Sequence, residues 1–247
     1  MQNTLTSEFG AVRAEPSRTV LSRVASLLDV FEGADGGLSV TELGRLTQLP
    51  KSTAFRLAEQ MVDLGWLERD PAGYRVGVRM LELGGLARRR TRLRNRAMPY
   101  LSELAAATGL AVNFAVLDGD EVVIVEQIPM RGCDLPLTGR CRFPAATTSL
   151  GKVLLAFGGN DQLDGVQRAP ELAAVRRRQI AFDADGTYAG ISCIGAPVRN
   201  SGRAIAAVSV SAPSAALRPN SVAPVLANTV DSIWSALFDR NRLTVSA

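Results

Sequence analysis

Between Arg18 and Phe31 the apolar residues Val20, Leu21, Val24, Leu27, Leu28 and Phe31 recur at helical spacing, with Ser17 before them as a candidate N-cap. The run Gly33-Ala34-Asp35-Gly36-Gly37 ends that helix, because these residues favour turns. Ser39 and Glu42 have the spacing of a capping box for a short second helix, whose inner face is Leu43 and Leu46. After Leu49-Pro50 the pattern predicts a third helix from Lys51 to Leu64, stopped by Gly65. Ala54, Leu57, Ala58, Met61 and Leu64 form its inward stripe; Ser52, Thr53, Arg56 and Gln60 lie outward. Trp66–Arg69 and Tyr74–Val76, around Asp70-Pro71-Ala72-Gly73, read as a β-hairpin. Three helices and then a hairpin is the order of a winged helix-turn-helix, ending near Arg79.

A helical connector follows from about Met80 to Thr108, with an interruption expected near Met98-Pro99 and a stop at Gly109. Beyond it, Ala111–Asp118 and Glu121–Ile128 alternate as strands around the turn Gly119-Asp120. Ser149–Phe157 and Leu172–Gln179 read as helices. Ile191–Arg199 and Ala204–Ala212 flank a second turn at Ser201-Gly202, and Ser221–Arg240 closes the chain as an amphipathic helix. Strand pairs on tight turns with helices between them predict an α+β sheet domain, not a Rossmann fold. The expected division is an arm over residues 1–16, a head over 17–79, a connector over 80–108 and a second domain over 109–247.

Composition narrows the chemistry. The 247 residues are 47% hydrophobic and 21% charged, enough for one small and one medium core. The chain has no histidine, which removes Ser-His-Asp and Cys-His catalysis and histidine-based zinc sites. Cys133, Cys141 and Cys193 form no Cys-X-X-Cys pair, so neither a metal, a cofactor nor a disulfide framework is expected, and a reducing cytoplasm fits. No apolar stretch is long enough to span a membrane, and residues 1–16 lack the apolar core of a signal peptide. The net charge is +4, yet residues 1–90 hold 12 basic against 11 acidic residues, so charge alone does not identify the head.

The third helix carries that argument. Short polar groups and an arginine near its N-terminus, opposite an apolar docking stripe, are what a helix entering the major groove needs. Lys51, Ser52, Thr53 and Arg56 are the candidate contacts, with Arg56 able to meet a guanine edge or a phosphate. The plainer alternative is an amphipathic surface helix. Arg75 on the hairpin and Arg18 are candidate phosphate contacts. Arg88, Arg89, Arg90, Arg92, Arg94 and Arg96 place six positive charges in nine residues, which reads either as a solvated connector face or as added non-specific affinity for DNA.

In the second domain, hydroxyl residues enter the helix at Ser149, where free N–H groups can receive an anion. Ser209 and Ser211 lie two apart in an apolar strand and so face one side. Their hydroxyls need partners, either neighbouring backbone or a bound polar ligand. Cys193 reads as a core thiol or a ligand contact, and Lys152 as a buried or a snorkelling lysine.

Residues 39–84, 101–128, 139–157 and 190–213 resemble, in order, the isocitrate lyase regulator (IclR) family of bacterial transcription factors. The head carries the motif LPKSTAFRLAEQMVDLGWLERD. The resemblance implies a winged helix-turn-helix joined by a linker helix to a GAF-like α/β effector domain. It implies a homodimer or dimer of dimers on double-stranded operator DNA. It carries DNA contact to Lys51, Ser52, Thr53, Arg56 and Arg75, and effector contact to Thr148, Ser149, Leu150, Asp183, Cys193, Ser209 and Ser211. Three positions depart from the family pattern. Gln48 replaces a turn glycine, at a cost of up to ~1 kcal/mol if the site demands positive φ. Gln179-Ile180 and Asp185-Gly186 replace a Gly-Tyr and a glutamate pair near Asp183. Pro144-Ala145-Ala146 makes a smaller, less polar rim. The expectation is a sequence-specific DNA-binding regulator, not an enzyme, under control of a small organic acid. The alternatives are an enzyme or ligand carrier acting through the C-terminal pocket, with Cys193 or Lys152 as nucleophile, and a head that binds another protein.

Overall fold

The first apolar stripe forms α1 (Val20–Asp29), capped by Thr19, whose hydroxyl accepts the Ser22 N–H at 3.2 Å. The computed structural model of the chain describes residues 19–32, 34, 36–133, 135, 141–158, 170–184 and 187–238. Ser17, Arg18, the expected arm, Asp185-Gly186, Arg240 and the side chains of Arg88 and Arg89 lie outside them. The contacts divide the chain into two units, one through Gly84 and one from Gly85.

In the first unit, Ser39 and Glu42 close the capping box of α2 (Val40–Thr47): the Ser39 N–H donates to Glu42 Oε2 at 2.9 Å, and the Glu42 N–H to Ser39 Oγ at 3.3 Å. The Ser39 hydroxyl, which also donates to Glu42 Oε2 at 2.7 Å, and then the Ser39 N–H hold the Glu42 carboxyl below its ordinary pKa. Leu43 is buried, but Leu46 is 44% exposed, so α2 docks through a narrower face than its sequence pattern implied. Gln48 takes the left-handed conformation at φ 57°, and the turn into α3 (Lys51–Asp63) keeps its glycine-like geometry without glycine. Ala54, Leu57, Ala58 and Met61 are buried together with Leu27, Leu43, Leu67 and Tyr74. Leu64 is not; it follows the last helical residue, where the stripe no longer governs direction, and is 58% exposed. Strands β1 (Leu67–Asp70) and β2 (Gly73–Val76) pair antiparallel, and Leu38 adds a one-residue bridge to Tyr74. Helix α4 (Val78–Gly85) follows.

The second unit begins with α5 (Arg88–Thr108). The expected interruption near Met98-Pro99 does not occur. Pro99 lies inside the helix and faces solvent, where water can satisfy the carbonyl it leaves unpaired, and the break falls at Leu86-Ala87 instead. Strands β3 (Ala111–Asp118), β4 (Glu121–Ile128), β5 (Arg142–Pro144), β6 (Ala181–Ala184), β7 (Ile191–Asn200) and β8 (Arg203–Pro213) form one antiparallel sheet in the order β5-β4-β3-β8-β7-β6. The chain leaves the sheet at one edge, β5, and re-enters at the other, β6. Helices α6 (Ser149–Phe157) and α7 (Pro170–Arg178) make that crossing, so α6 lies across the central strands. Helix α5 and the terminal α8 (Pro219–Phe238) pack on the opposite face.

Alternation along the central strands makes the two faces unequal. Val112, Phe114 and Val116 of β3 and Val208, Val210 and Ala212 of β8 fill the α5–α8 side. Asn113 and Ala115, with Ala207, Ser209 and Ser211, face α6. The α6 side packs a second apolar cluster, which includes Ala115, Val122, Leu154 and Ala207, but it also carries the buried polar residues Asn113, Ser209 and Ser211. Three arginines of the basic run are fixed within this unit: Arg90 lies 3.7 Å from Asp118, Arg94 pairs with Glu126, and Arg96 Nη1 donates to the Ala236 carbonyl at 2.7 Å.

Candidate functional site

The α6 side of the sheet holds a cavity of ≈ 30 Å³ beneath the N-terminus of α6. All seven effector-contact residues read from the sequence line it: Thr148, Ser149, Leu150, Asp183, Cys193, Ser209 and Ser211. Strand register explains the meeting. Asp183, Cys193 and Ser211 are direct neighbours across β6, β7 and β8, and Gly195, Ser209 and Asn113 form the next row across β7, β8 and β3. Gly195 lets the helix come close, since a Cβ there would lie 3.0 Å from the Ser149 backbone. Gly151 is equally constrained: a Cβ would lie 1.9 Å from the Ala145 carbonyl oxygen.

The Ser209 and Ser211 hydroxyls find a side chain and not backbone as partner. Asn113 Nδ2 stands 3.2 Å from Ser211 Oγ and 3.5 Å from Ser209 Oγ, while its Oδ1 accepts from Gln127 Nε2 at 2.9 Å. Asn113 and Gln127 were not among the residues expected from sequence. The signal was present as a lone amide in the otherwise apolar run Ala-Val-Asn-Phe-Ala-Val-Leu. Thr148 spends its hydroxyl on the Gly151 N–H at 2.9 Å as the α6 cap. The Ser149 and Leu150 N–H groups, in the first turn, have no partner inside the helix and give this end a positive character.

Asp183 is 4% exposed. Thr187 Oγ1 donates to its Oδ2 at 3.1 Å, and Lys152 Nζ lies 3.8 Å from Oδ1 and 2.8 Å from Glu171 Oε1. Lys152 is therefore an ion-paired, largely buried lysine joining α6, α7 and β6. Burial raises the Cys193 thiol to about 11, against a smaller lowering by Ser211, so it stays protonated near neutral pH. Val122, Ile124, Phe143 and Leu150 supply the apolar wall. The site offers hydroxyls, an amide, a helix N-terminus and one buried carboxylate, with no cation on its lining. Among the described residues no group of His, Cys, Asp and Glu is placed to hold a metal, and no helix is long and apolar enough to cross a membrane.

In the first unit Lys51, Ser52 and Arg56 are exposed on the first two turns of α3, and Thr53 is half-buried beside them. Arg75 is tied to its own hairpin, with Nη2 at 3.0 Å from Glu68 Oε2 and Nη1 at 3.9 Å from Asp70 Oδ2. Glu68 also accepts the Val78 N–H at 2.8 Å; that bond and then Arg75 hold its carboxyl below the ordinary range.

Comparison with known proteins agrees with both halves. The IclR helix-turn-helix domain model matches residues 20–71, and that of the bacterial transcriptional regulator IclR C-terminal domain matches residues 86–169 and 167–233. The HTH-type transcriptional regulator XynR of Escherichia coli is 28% identical over 77% of this chain and 84% of its own. BhcR of Paracoccus denitrificans, another HTH-type regulator, is 29% identical over 83% of this chain and 82% of its own. An IclR homologue from Microbacterium hydrocarbonoxydans, solved with 4-hydroxybenzoate, superposes with a TM-score of 0.75 at 26% identity, covering 89% of this chain and 99% of that one. The Thermotoga maritima IclR shares the fold, with a TM-score of 0.68 at 24% identity over 88% and 98% of the two chains.

Proposed function

The chain belongs to the IclR family of bacterial transcriptional regulators, and on that footing we propose a cytoplasmic, ligand-controlled regulator that reads a double-stranded operator. In this reading residues 17–79 are the DNA-reading head, 80–108 the connector and 109–247 the effector domain. Lys51, Ser52, Thr53 and Arg56 meet bases and phosphates, with Arg75 as a further phosphate contact. Two such chains, or two pairs, place their heads on a palindromic site.

The observation that carries the ligand half is the hydroxyl and amide cluster facing the α6 N-terminus. A small organic acid fits it: a carboxylate at the Ser149 and Leu150 N–H groups, an apolar body against Val122, Ile124 and Phe143, and a hydroxyl toward the Asn113 cluster. The neighbour bound to 4-hydroxybenzoate supports that class of compound. An aromatic acid needs more room than ≈ 30 Å³, so binding selects a more open pocket. Strand β4 supplies a path outward, because Gln127, bonded to Asn113, adjoins Glu126, paired with Arg94 of α5.

A panel of carboxylates that includes 4-hydroxybenzoate, screened by thermal shift, tests the reading. A true effector at a hundredfold excess over its Kd raises Tm by roughly 5 °C or more. Ser209→Ala or Ser211→Ala weakens that shift, and a hit indifferent to both changes places the site elsewhere. Recovery of the ligand unchanged after incubation dismisses turnover, which the protonated Cys193 and the ion-paired Lys152 already disfavour. Arg56→Ala weakens operator binding while leaving the fold intact.

A further inference from the structure

Phe55 is the large apolar residue exposed on the first two turns of α3. It is 49% exposed, is not part of the apolar cluster that holds the head together, and stands among the polar residues Lys51, Ser52 and Arg56. Helical spacing sets its neighbours. Ser52 lies one turn before it and Glu59 one turn after, on the flank of the exposed face. The Glu59 carboxylate would repel a phosphate, but it is engaged by the Tyr74 hydroxyl at 2.6 Å and by the Arg69 guanidinium. Phe55 is thus an apolar spot bordered by Lys51, Ser52 and Arg56, and Glu59, one turn after it, is already engaged. Single exposed apolar residues are common on protein surfaces; what sets Phe55 apart is its place on the outward face of the helix that carries the candidate DNA contacts.

We propose that Phe55 is a specificity-determining residue that packs against the C5-methyl group of a thymine in the major groove. Of the base edges in that groove only thymine presents a methyl, and an apolar side chain beside Arg56 is suited to it. The inference rests on the DNA-reading role given to α3. It adds to the polar contacts a preference for T over C at one position in each half-site, made without a hydrogen bond.

The experiment uses the full-length protein and an operator fragment selected by it from genomic DNA. Each thymine is replaced in turn by deoxyuridine, which deletes only the methyl group. At one thymine per half-site the wild-type affinity falls about fourfold, the effect of losing one buried methyl. Phe55→Ala, with an unchanged thermal midpoint, binds the thymine and uracil operators equally at that position. Phe55→Leu, which retains an apolar tip, keeps part of the preference and guards against a misfolded alanine variant. Wild-type affinity indifferent to every thymine-to-uracil change overturns the proposal. So does a Phe55→Ala protein that still discriminates the two, or one whose oligomeric state changes, which would make Phe55 a contact between chains. Failure of the protein to select any DNA would overturn the regulator reading itself and is distinguishable from these.

Discussion

Tyr74 on the hairpin donates its phenolic hydroxyl to Glu59 on α3 at 2.6 Å, fastening the wing to the helix that carries the candidate DNA contacts. Arg69, on the neighbouring strand, pairs with the other oxygen of the same carboxylate. A buried phenol and one acid thus add a polar tie to the apolar packing of Leu67 and Tyr74 and to the Leu38 bridge. Tyr74→Phe should lower stability by about 1.5 to 3 kcal/mol, the worth of a hydrogen bond to a charged group. Burial, and then Glu59, push the Tyr74 pKa up to about 12 from 10. Because the folded pKa is the higher one, this group's contribution is complete below pH 10 and is lost as pH rises towards 12. Urea unfolding of wild type and Tyr74→Phe between pH 9 and 12 should therefore show a difference that narrows over that window. A constant difference would mean the hydroxyl is not so held.

Gln48 holds φ 57° at the end of α2, a conformation that costs a side-chain-bearing residue of the order of 1 kcal/mol. Gln48→Gly relieves that strain and, after the greater freedom of glycine in the unfolded chain is allowed for, should stabilise the head by about 0.5 kcal/mol. Denaturant midpoints check it; a loss of stability would mean that the glutamine side chain contributes something the backbone angle does not reveal.

Periodicity makes most of this fold legible in the sequence. The hairpin pairs β3–β4 and β7–β8 were legible because two-residue turns with Gly119 and Gly202 separate clear alternations. The short edge strands β5 and β6 were not, since three or four residues carry too little pattern. Leu46 and Leu64 misled because a helical stripe predicts which way a residue points and not whether anything packs there. The pocket's seven expected residues converge, but Asn113 was missed. Its hydroxyl partners lie 96 and 98 positions away, a distance that only the sheet register bridges.

Asn113 is at the centre of the pocket's hydrogen bonds, with Ser209, Ser211 and Gln127 all bonded to it. Asn113→Ala removes the acceptor of the Gln127 Nε2 bond and the amide that donates to two buried hydroxyls, and should cost about 1 to 3 kcal/mol. If the pocket governs DNA binding through β4, the variant keeps operator affinity without ligand and loses its response to any compound found by thermal shift. Gel-shift titrations with and without that compound decide it; an undiminished response would remove Asn113 from the site.

Cys193 should be slow to alkylate, because its thiol is pushed up to about 11 by burial. At pH 8 iodoacetamide should modify the exposed Cys141 first, and the rate at Cys193 should rise about tenfold per pH unit until the thiol ionises. Peptide mapping over a pH series reads both rates. Rapid labelling of Cys193 at neutral pH would reopen the case for a nucleophile in the pocket.

Arg56 and Arg75 carry equal charge but different commitments. Arg75 is held by Glu68 and Asp70 on its own hairpin, while no acid in the first unit is paired with Arg56 among the described ion pairs. A guanidinium already neutralised by two carboxylates displaces little counterion from DNA, since moving it to a phosphate leaves those acids unpaired beside the backbone. Arg56→Ala should therefore lower operator affinity at least tenfold and reduce the slope of log K against log salt by about 1 if the contact is a phosphate. Arg75→Ala should change either quantity by much less, and Glu68→Gln, which frees Arg75, should raise affinity at low salt. Equal slope changes for Arg56→Ala and Arg75→Ala would mean that the hairpin releases its arginine on binding, and that the wing reads the backbone as fully as α3 does.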